Sequence, residues 1–138
     1  MRKVMIDTSC LISFISDRNL DQQMRIASLF NEARRLKKMI VCHHHVVGEF
    51  VYVLTSVYSL KSKIVQQMVA DLISMPGIMF TSDVDMQTIL SFWPEHIPDY
   101  GDAILAAYCK QTKGTKIASF DKKFNDTLNR IGLPVQIL

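Results

Sequence analysis

The chain alternates between short apolar runs of strand length and longer segments of helical spacing, and that alternation leaves few architectures open. Residues 3–6, 39–42, 78–80, 116–120 and 134–138 read as strands without the in–out alternation of a sheet that has one wet face. Between them, Asp21 can cap a helix whose apolar face is Ile26, Leu29, Phe30, Ala33 and Leu36. Ser62 can cap another, with Ile64, Val65, Met68, Val69, Leu72 and Ile73, stopped by Pro76-Gly77. Asp83 can cap a third running to about Phe92, and a further helix opens near Pro98-Asp99. Residues 46–58 are apolar nearly all round, which predicts a helix sandwiched in the interior. Strands buried on both faces and separated by helices make a parallel sheet covered on both sides, an α/β fold.

Size and composition fit one domain over residues 1–138. A chain of 138 residues, 49% apolar and 21% charged, can build a core and is not of disordered composition. Its longest uncharged stretch is broken by Glu49, and the pieces fall short of the ~18 residues a membrane span needs. The apolar run after Lys3 is too short for a signal peptide, so the expected location is the cytoplasm. Cys10, Cys42 and Cys109 are odd in number, far apart and set in apolar sequence, which reads as buried thiols. Basic residues cluster at Arg34-Arg35-Leu36-Lys37-Lys38, at Lys110, Lys113 and Lys116, and at Lys122-Lys123. Such clusters suit phosphate contacts, and equally suit solvated helix ends. His43-His44-His45 reads as a strand-to-helix connection with one bonded imidazole, since consecutive helical residues point apart. Trp93 reads as packing or a partner contact before an RNA-stacking platform.

Four carboxylates stand where solubility does not ask for them. Asp7 closes Val4-Met5-Ile6, Asp121 closes residues 116–120, Asp102 opens the apolar residues 103–109, and Glu49 interrupts an apolar helix. A carboxylate losing its hydration must be paired, protonated or bound to a cation. Asp7 and Asp121 end strands, and open parallel sheets bind ligands beyond strand C-termini where the strand order reverses. Glu49 shares a helical face with Val46 and Val53 and should point inward; Asp102 lies in a first helical turn. Each has a plain alternative. Asp7, Asp99 and Asp102 can be helix caps and Asp121 a turn residue, whereas Glu49 has no obvious structural role. Taken together, acids without matching cations point to Mg²⁺ or Mn²⁺, and that ligand set to a phosphodiester hydrolase.

Ile6-Asp7-Thr8-Ser9, Gly48-Glu49-Phe50-Val51-Tyr52-Val53-Leu54, residues 99–107 and Ala118-Ser119-Phe120-Asp121-Lys122-Lys123-Phe124 resemble the PIN domain. More narrowly they look like the VapC-type ribonuclease toxins of toxin–antitoxin pairs, with the motifs in order along the whole chain. The resemblance implies an α/β/α sandwich on a five-stranded parallel sheet, with Asp7, Glu49, Asp102 and Asp121 around Mg²⁺ or Mn²⁺. It implies metal-dependent cleavage of RNA by a homodimer, with an antitoxin protein as a further partner. Thr8 and Ser119 match supporting hydroxyl positions, and Asp99 matches an additional acid that is a candidate ligand. One departure is Gly101, a flexible residue in the helix start just before Asp102. Two rivals stand beside this reading: a non-catalytic PIN module that binds RNA or protein, and a phosphotransfer or receiver domain. The latter's phosphatase form wants an acid at position 9, which is Ser.

Overall fold

Val4, Met5 and Ile6 are almost wholly buried, so the strand that carries them, β1 (Arg2–Ile6), must have neighbours on both sides. In the computed structural model, which describes residues 2–138, β1 pairs in parallel with β2 (Lys38–His43) and with β4 (Thr115–Ala118). β3 (Ile78–Thr81) adds beyond β2, giving the order β3-β2-β1-β4. Helices flank this sheet: α1 (Thr8–Ile15), α2 (Leu20–Arg34), α3 (His44–Tyr52), α4 (Ser62–Ser74), α5 (Met86–Phe92), α6 (Tyr100–Gln111) and α7 (Lys122–Arg130). The expected α/β architecture is present. Cys10, Cys42 and Cys109 are buried free thiols, and no described helix is long and apolar enough to cross a membrane.

The fifth run does not become a full strand. Only Val135 bridges to Ile117, with Ile117 N donating to Pro134 O at 3.1 Å and Gln136 N to Ile117 O at 2.8 Å. Pro134 has no amide to extend the ladder, and β4 is itself short. Strand β4 also ends at Ala118 rather than at Phe120, because Phe120 N and Asp121 N turn to the hydroxyls of Ser9 and Ser119.

Several helix starts shift to a better acceptor. Asn19, not Asp21, caps α2 by accepting from Gln22 N, which leaves Asp21 to pair with Arg25 at 3.0 Å. Asp85, not Asp83, caps α5, and Ser62 is the first residue of α4 with Lys61 in the cap position. Residues 46–58 are not sandwiched all round. Val46, Phe50 and Leu54, four residues apart, form the buried stripe, while Tyr52 and Val57 are 65% and 67% exposed. Beyond Tyr52 the helix widens into a π-type turn over Val53–Val57, closed by Tyr58 N donating to Val53 O at 3.1 Å.

Candidate functional site

Strand order fixes where the acids meet. The chain runs from β1 outward to β2 and β3, then returns past β1 to form β4, so the order reverses between β1 and β4. Their C-terminal ends, bridged by Asp7 N donating to Ala118 O at 3.3 Å, flank the crevice where open parallel sheets bind ligands.

Asp7 is buried and caps α1. Its Oδ1 accepts from Ser9 Oγ at 2.6 Å and from Cys10 N at 3.1 Å, while Oδ2 accepts from Ser119 Oγ. Burial pushes its carboxyl above the usual carboxylate range, and the donors from Ser119, Ser9 and Cys10 work against that by favouring the charged form. Ser119 is a junction. Its hydroxyl faces Asp7, accepts from Asp121 N at 2.9 Å, and its carbonyl accepts from Asn125 Nδ2 at 2.9 Å.

Asp121 caps α7, its Oδ1 accepting from Lys123 N at 3.0 Å and Phe124 N at 3.3 Å. Asp99 caps α6, its Oδ1 accepting from Asp102 N at 2.8 Å. Capping and ligation therefore do not exclude each other. In both residues one oxygen holds a helix start, and the other has no protein donor. Glu49 is less inward than its sequence face predicts, with its side chain 42% exposed. The stripe of Val46, Phe50 and Leu54 takes the core, leaving Glu49 at its edge, where Oε1 accepts from Thr8 Oγ1 at 2.9 Å.

Asp102 reports on the whole group. Its half-buried carboxyl is pushed up to about 7, first by desolvation and then by the charges of Asp99, Asp7, Asp121 and Glu49. The charges of the other four acids thus all reach Asp102. Among the described residues none of the five has a Lys or Arg partner within ion-pairing distance, and Glu49 alone has an imidazole nearby. Among the described residues no three carboxylate, imidazole or thiol groups converge tightly enough to ligate one ion as they stand, a spread that like charges favour. The donor set still fits a hard divalent cation: carboxylate oxygens, no thiolate, and negative charge left uncompensated.

His45, passed over in the sequence as part of a histidine run, belongs here. Its Nε2 stands 3.4 Å from Glu49 Oε1 without hydrogen-bond geometry, and has no other partner. The ring packs so closely on α6 that a Cβ on Gly101 would lie 2.4 Å from Nε2 and 3.1 Å from Asp99 Oδ1. Gly101 is thus explained by space rather than flexibility. The i, i+4 spacing of His45 and Glu49 was the available signal. His43 fits its predicted role: Nδ1 accepts from His45 N at 3.0 Å and Nε2 meets Asp83 O at 2.9 Å. Trp93 packs edge-on against Tyr100 and donates to Pro98 O at 3.2 Å.

The basic clusters divide by topology. Residues 34–37 precede β2, which opens at Lys38, and Lys113 precedes β4, so both clusters lie at the N-terminal edge of the sheet, away from the acids. Only Lys122-Lys123, opening α7 beside Asp121, stand at the site end.

With this geometry the chain was compared with known proteins. The PIN domain family model matches residues 4–128. No curated protein sequence matches the chain. Among solved structures, Mycobacterium tuberculosis VapC20, a sarcin-ricin loop cleaving toxin, superposes with a TM-score of 0.63 at 17% identity, over 89% of this chain and 93% of that one. The PIN domain endonuclease Utp24 superposes with a TM-score of 0.58 at 17% identity, over 96% of this chain and 82% of that one.

Proposed function

The chain belongs to the PIN domain family, and on that premise we propose that it is a Mg²⁺- or Mn²⁺-dependent endoribonuclease that hydrolyses RNA phosphodiester bonds. Residues 1–138 act as one nuclease domain, the toxin of a VapBC-type toxin–antitoxin pair, working in the cytoplasm as a homodimer restrained by its antitoxin. The likeness to VapC20 supports the toxin reading. One observation carries the catalytic reading: Asp102 is surrounded by four other acids that raise its proton affinity, with no Lys or Arg to balance them. A module that only binds gains nothing from such mutual repulsion, whereas a divalent cation turns it into affinity.

Asp7, Glu49, Asp102 and Asp121 would hold the ion directly or through water, with Asp99 as a further ligand. When bound, a divalent ion would neutralise phosphate oxygens and lower the pKa of a water, supplying hydroxide as the nucleophile for phosphorus. The surrounding residues orient the acids. Ser9 and Ser119 fix both oxygens of Asp7, and Thr8 fixes Glu49. Asp99 anchors the first turn of α6, from which Asp102 projects. Lys123, exposed beside Asp121, is the cation best placed to meet the RNA backbone.

A panel of synthetic RNAs incubated with Mn²⁺ or Mg²⁺ tests the proposal. Cleavage should appear with either ion, vanish in EDTA, and be lost in Asp7→Asn and in the exposed-site variant Asp121→Asn. Cleavage that survives both EDTA and these substitutions overturns it, and so does an RNA panel left intact by the metal-loaded protein.

A further inference from the structure

Beside the acids lies a cavity of about 590 Å³ that the proposed chemistry does not use. Thr8 and Glu49 form its border with the acid cluster, and α3 forms its wall through His44, His45, Gly48 and Tyr52. We propose that this cavity is a nucleobase subsite, in which an unpaired RNA base next to the scissile phosphate stacks on Tyr52 over Gly48.

Three observations on α3 carry it. First, His44, Gly48 and Tyr52 are spaced four residues apart and so share one face of the helix. At 1.5 Å of rise per residue, the two ring-bearing positions stand about 12 Å apart along the axis, with the glycine midway. A helical side chain leans toward its N-terminus, which carries the Tyr52 ring toward Gly48. Second, Gly48 has no packing reason to be glycine. A Cβ there would meet nothing within 4 Å, although glycine is the least favourable residue after proline inside a helix. Gly101 makes the contrast, since its missing Cβ is demanded by His45. The space at Gly48 is therefore free for something outside the chain. Third, Tyr52 is 65% exposed and belongs to neither of the aromatic pairs among the described residues, Phe14–Phe30 and Trp93–Tyr100. Its face is available.

Chemistry selects the occupant. A phosphate is a poor guest beside Glu49 and its neighbouring acids, whereas a base is flat, uncharged and sequence-tolerant in stacking. A base held here would lie next to Thr8 and Glu49, and its own phosphate would reach the acids, where only the proposed cation makes it welcome. The subsite thus rests on the ribonuclease reading for its purpose, yet base binding can be measured without cleavage.

The test measures fluorescence anisotropy of labelled single-stranded oligoribonucleotides, and of abasic oligomers with the same number of phosphates, in Ca²⁺ and separately in EDTA. The wild-type protein should prefer the base-bearing RNA by about 5- to 150-fold, the range of one stacked base. That preference should collapse in Tyr52→Ala and in Gly48→Leu, and persist in Tyr52→Phe. Gly48→Leu should melt no lower than wild type, because leucine suits a helix and its Cβ meets no protein atom within 4 Å, and an unchanged melt separates loss of binding from unfolding. Equal binding of the two oligomers, a preference untouched by Tyr52→Ala, or no RNA binding at all overturns the subsite. Base preference without cleavage in Mn²⁺ would retain the subsite and reject the nuclease. Cleavage with no base preference would do the reverse.

Discussion

Replacing Asp102 by Asn should make the metal-free protein more stable at neutral and alkaline pH, although it removes a proposed metal ligand. In the unfolded chain an aspartate loses its proton near 3.9, whereas in the folded protein Asp102 holds its proton to about 7. Between those values the folded state binds more protons than the unfolded one, so this group lowers stability as pH rises through the window. Its full penalty is present above about 7. Three units at 1.36 kcal/mol each set a ceiling of about 4 kcal/mol. Solvent reaches part of the half-buried carboxyl and screens it, which reduces the realistic penalty to about 1–2 kcal/mol. Against this, an acid in the first turn of α6 gains about 0.3–1 kcal/mol from the helix dipole, and Asn forfeits that. Among the described residues the side chain of Asp102 accepts no hydrogen bond, and its backbone N keeps its bond to Asp99 Oδ1 in the variant. The net expectation is a gain of about 1 kcal/mol, or roughly 3–5 °C in Tm for a chain of this size, at about pH 8 in EDTA. Near pH 4 the gain should vanish or change sign, since both forms are then neutral there. Thermal melts at both pH values measure the difference directly. Adding Mn²⁺ should stabilise the wild type more than the variant and so invert their order. A variant that melts below wild type at about pH 8 in EDTA, or a pH-independent difference, refutes the claim that the five acids burden one another.

Other substitutions probe how the acids are held. Ser119→Ala removes the hydroxyl that donates to Asp7 and accepts from Asp121 N, and should cost about 1–3 kcal/mol of stability by denaturant titration. It should also weaken Mn²⁺ binding by about 10- to 100-fold in calorimetry, and unchanged affinity would show that Ser119 does not orient the site. Gly101→Ala drives a methyl against His45 and should destabilise by about 1–3 kcal/mol. In a His45→Ala background most of that cost should disappear, because the 2.4 Å contact is gone, alanine is the better helix former, and only the 3.1 Å approach to Asp99 Oδ1 remains. Additive effects of the two substitutions would refute the steric account of Gly101.

What the sequence discloses here follows from the range over which each cause acts. Strands of buried residues announce themselves through their apolar runs, and Asp7 could be placed because it directly follows one of them. The sequence places Asp121 at a strand end or in a turn, and it lies three residues past the end of β4 as the cap of α7. That helix is only nine residues long and its apolar face rests on Phe124 and Leu128, too short a pattern to stand out, although Asp121 marks its start as the cap. Sequence alone leaves open cap or ligand for Asp7 and Asp99, and turn or ligand for Asp121, and the geometry explains why these are not exclusive. A helix start needs a fixed carboxylate oxygen, and so would a metal site, so one residue can meet both demands. His45 and Gly101 lie far apart in the chain, and neither carries a local mark of the other. Their contact exists only because α3 leaves the end of β2 while α6 delivers its first turn to the same end of the sheet. The basic residues make the converse point. Arg34 to Lys38 form the densest positive cluster in the sequence, yet a parallel sheet sends whatever precedes a strand to the edge opposite its C-terminal crevice. Charge density suggested where RNA should bind, and strand direction moves that cluster away from the acids.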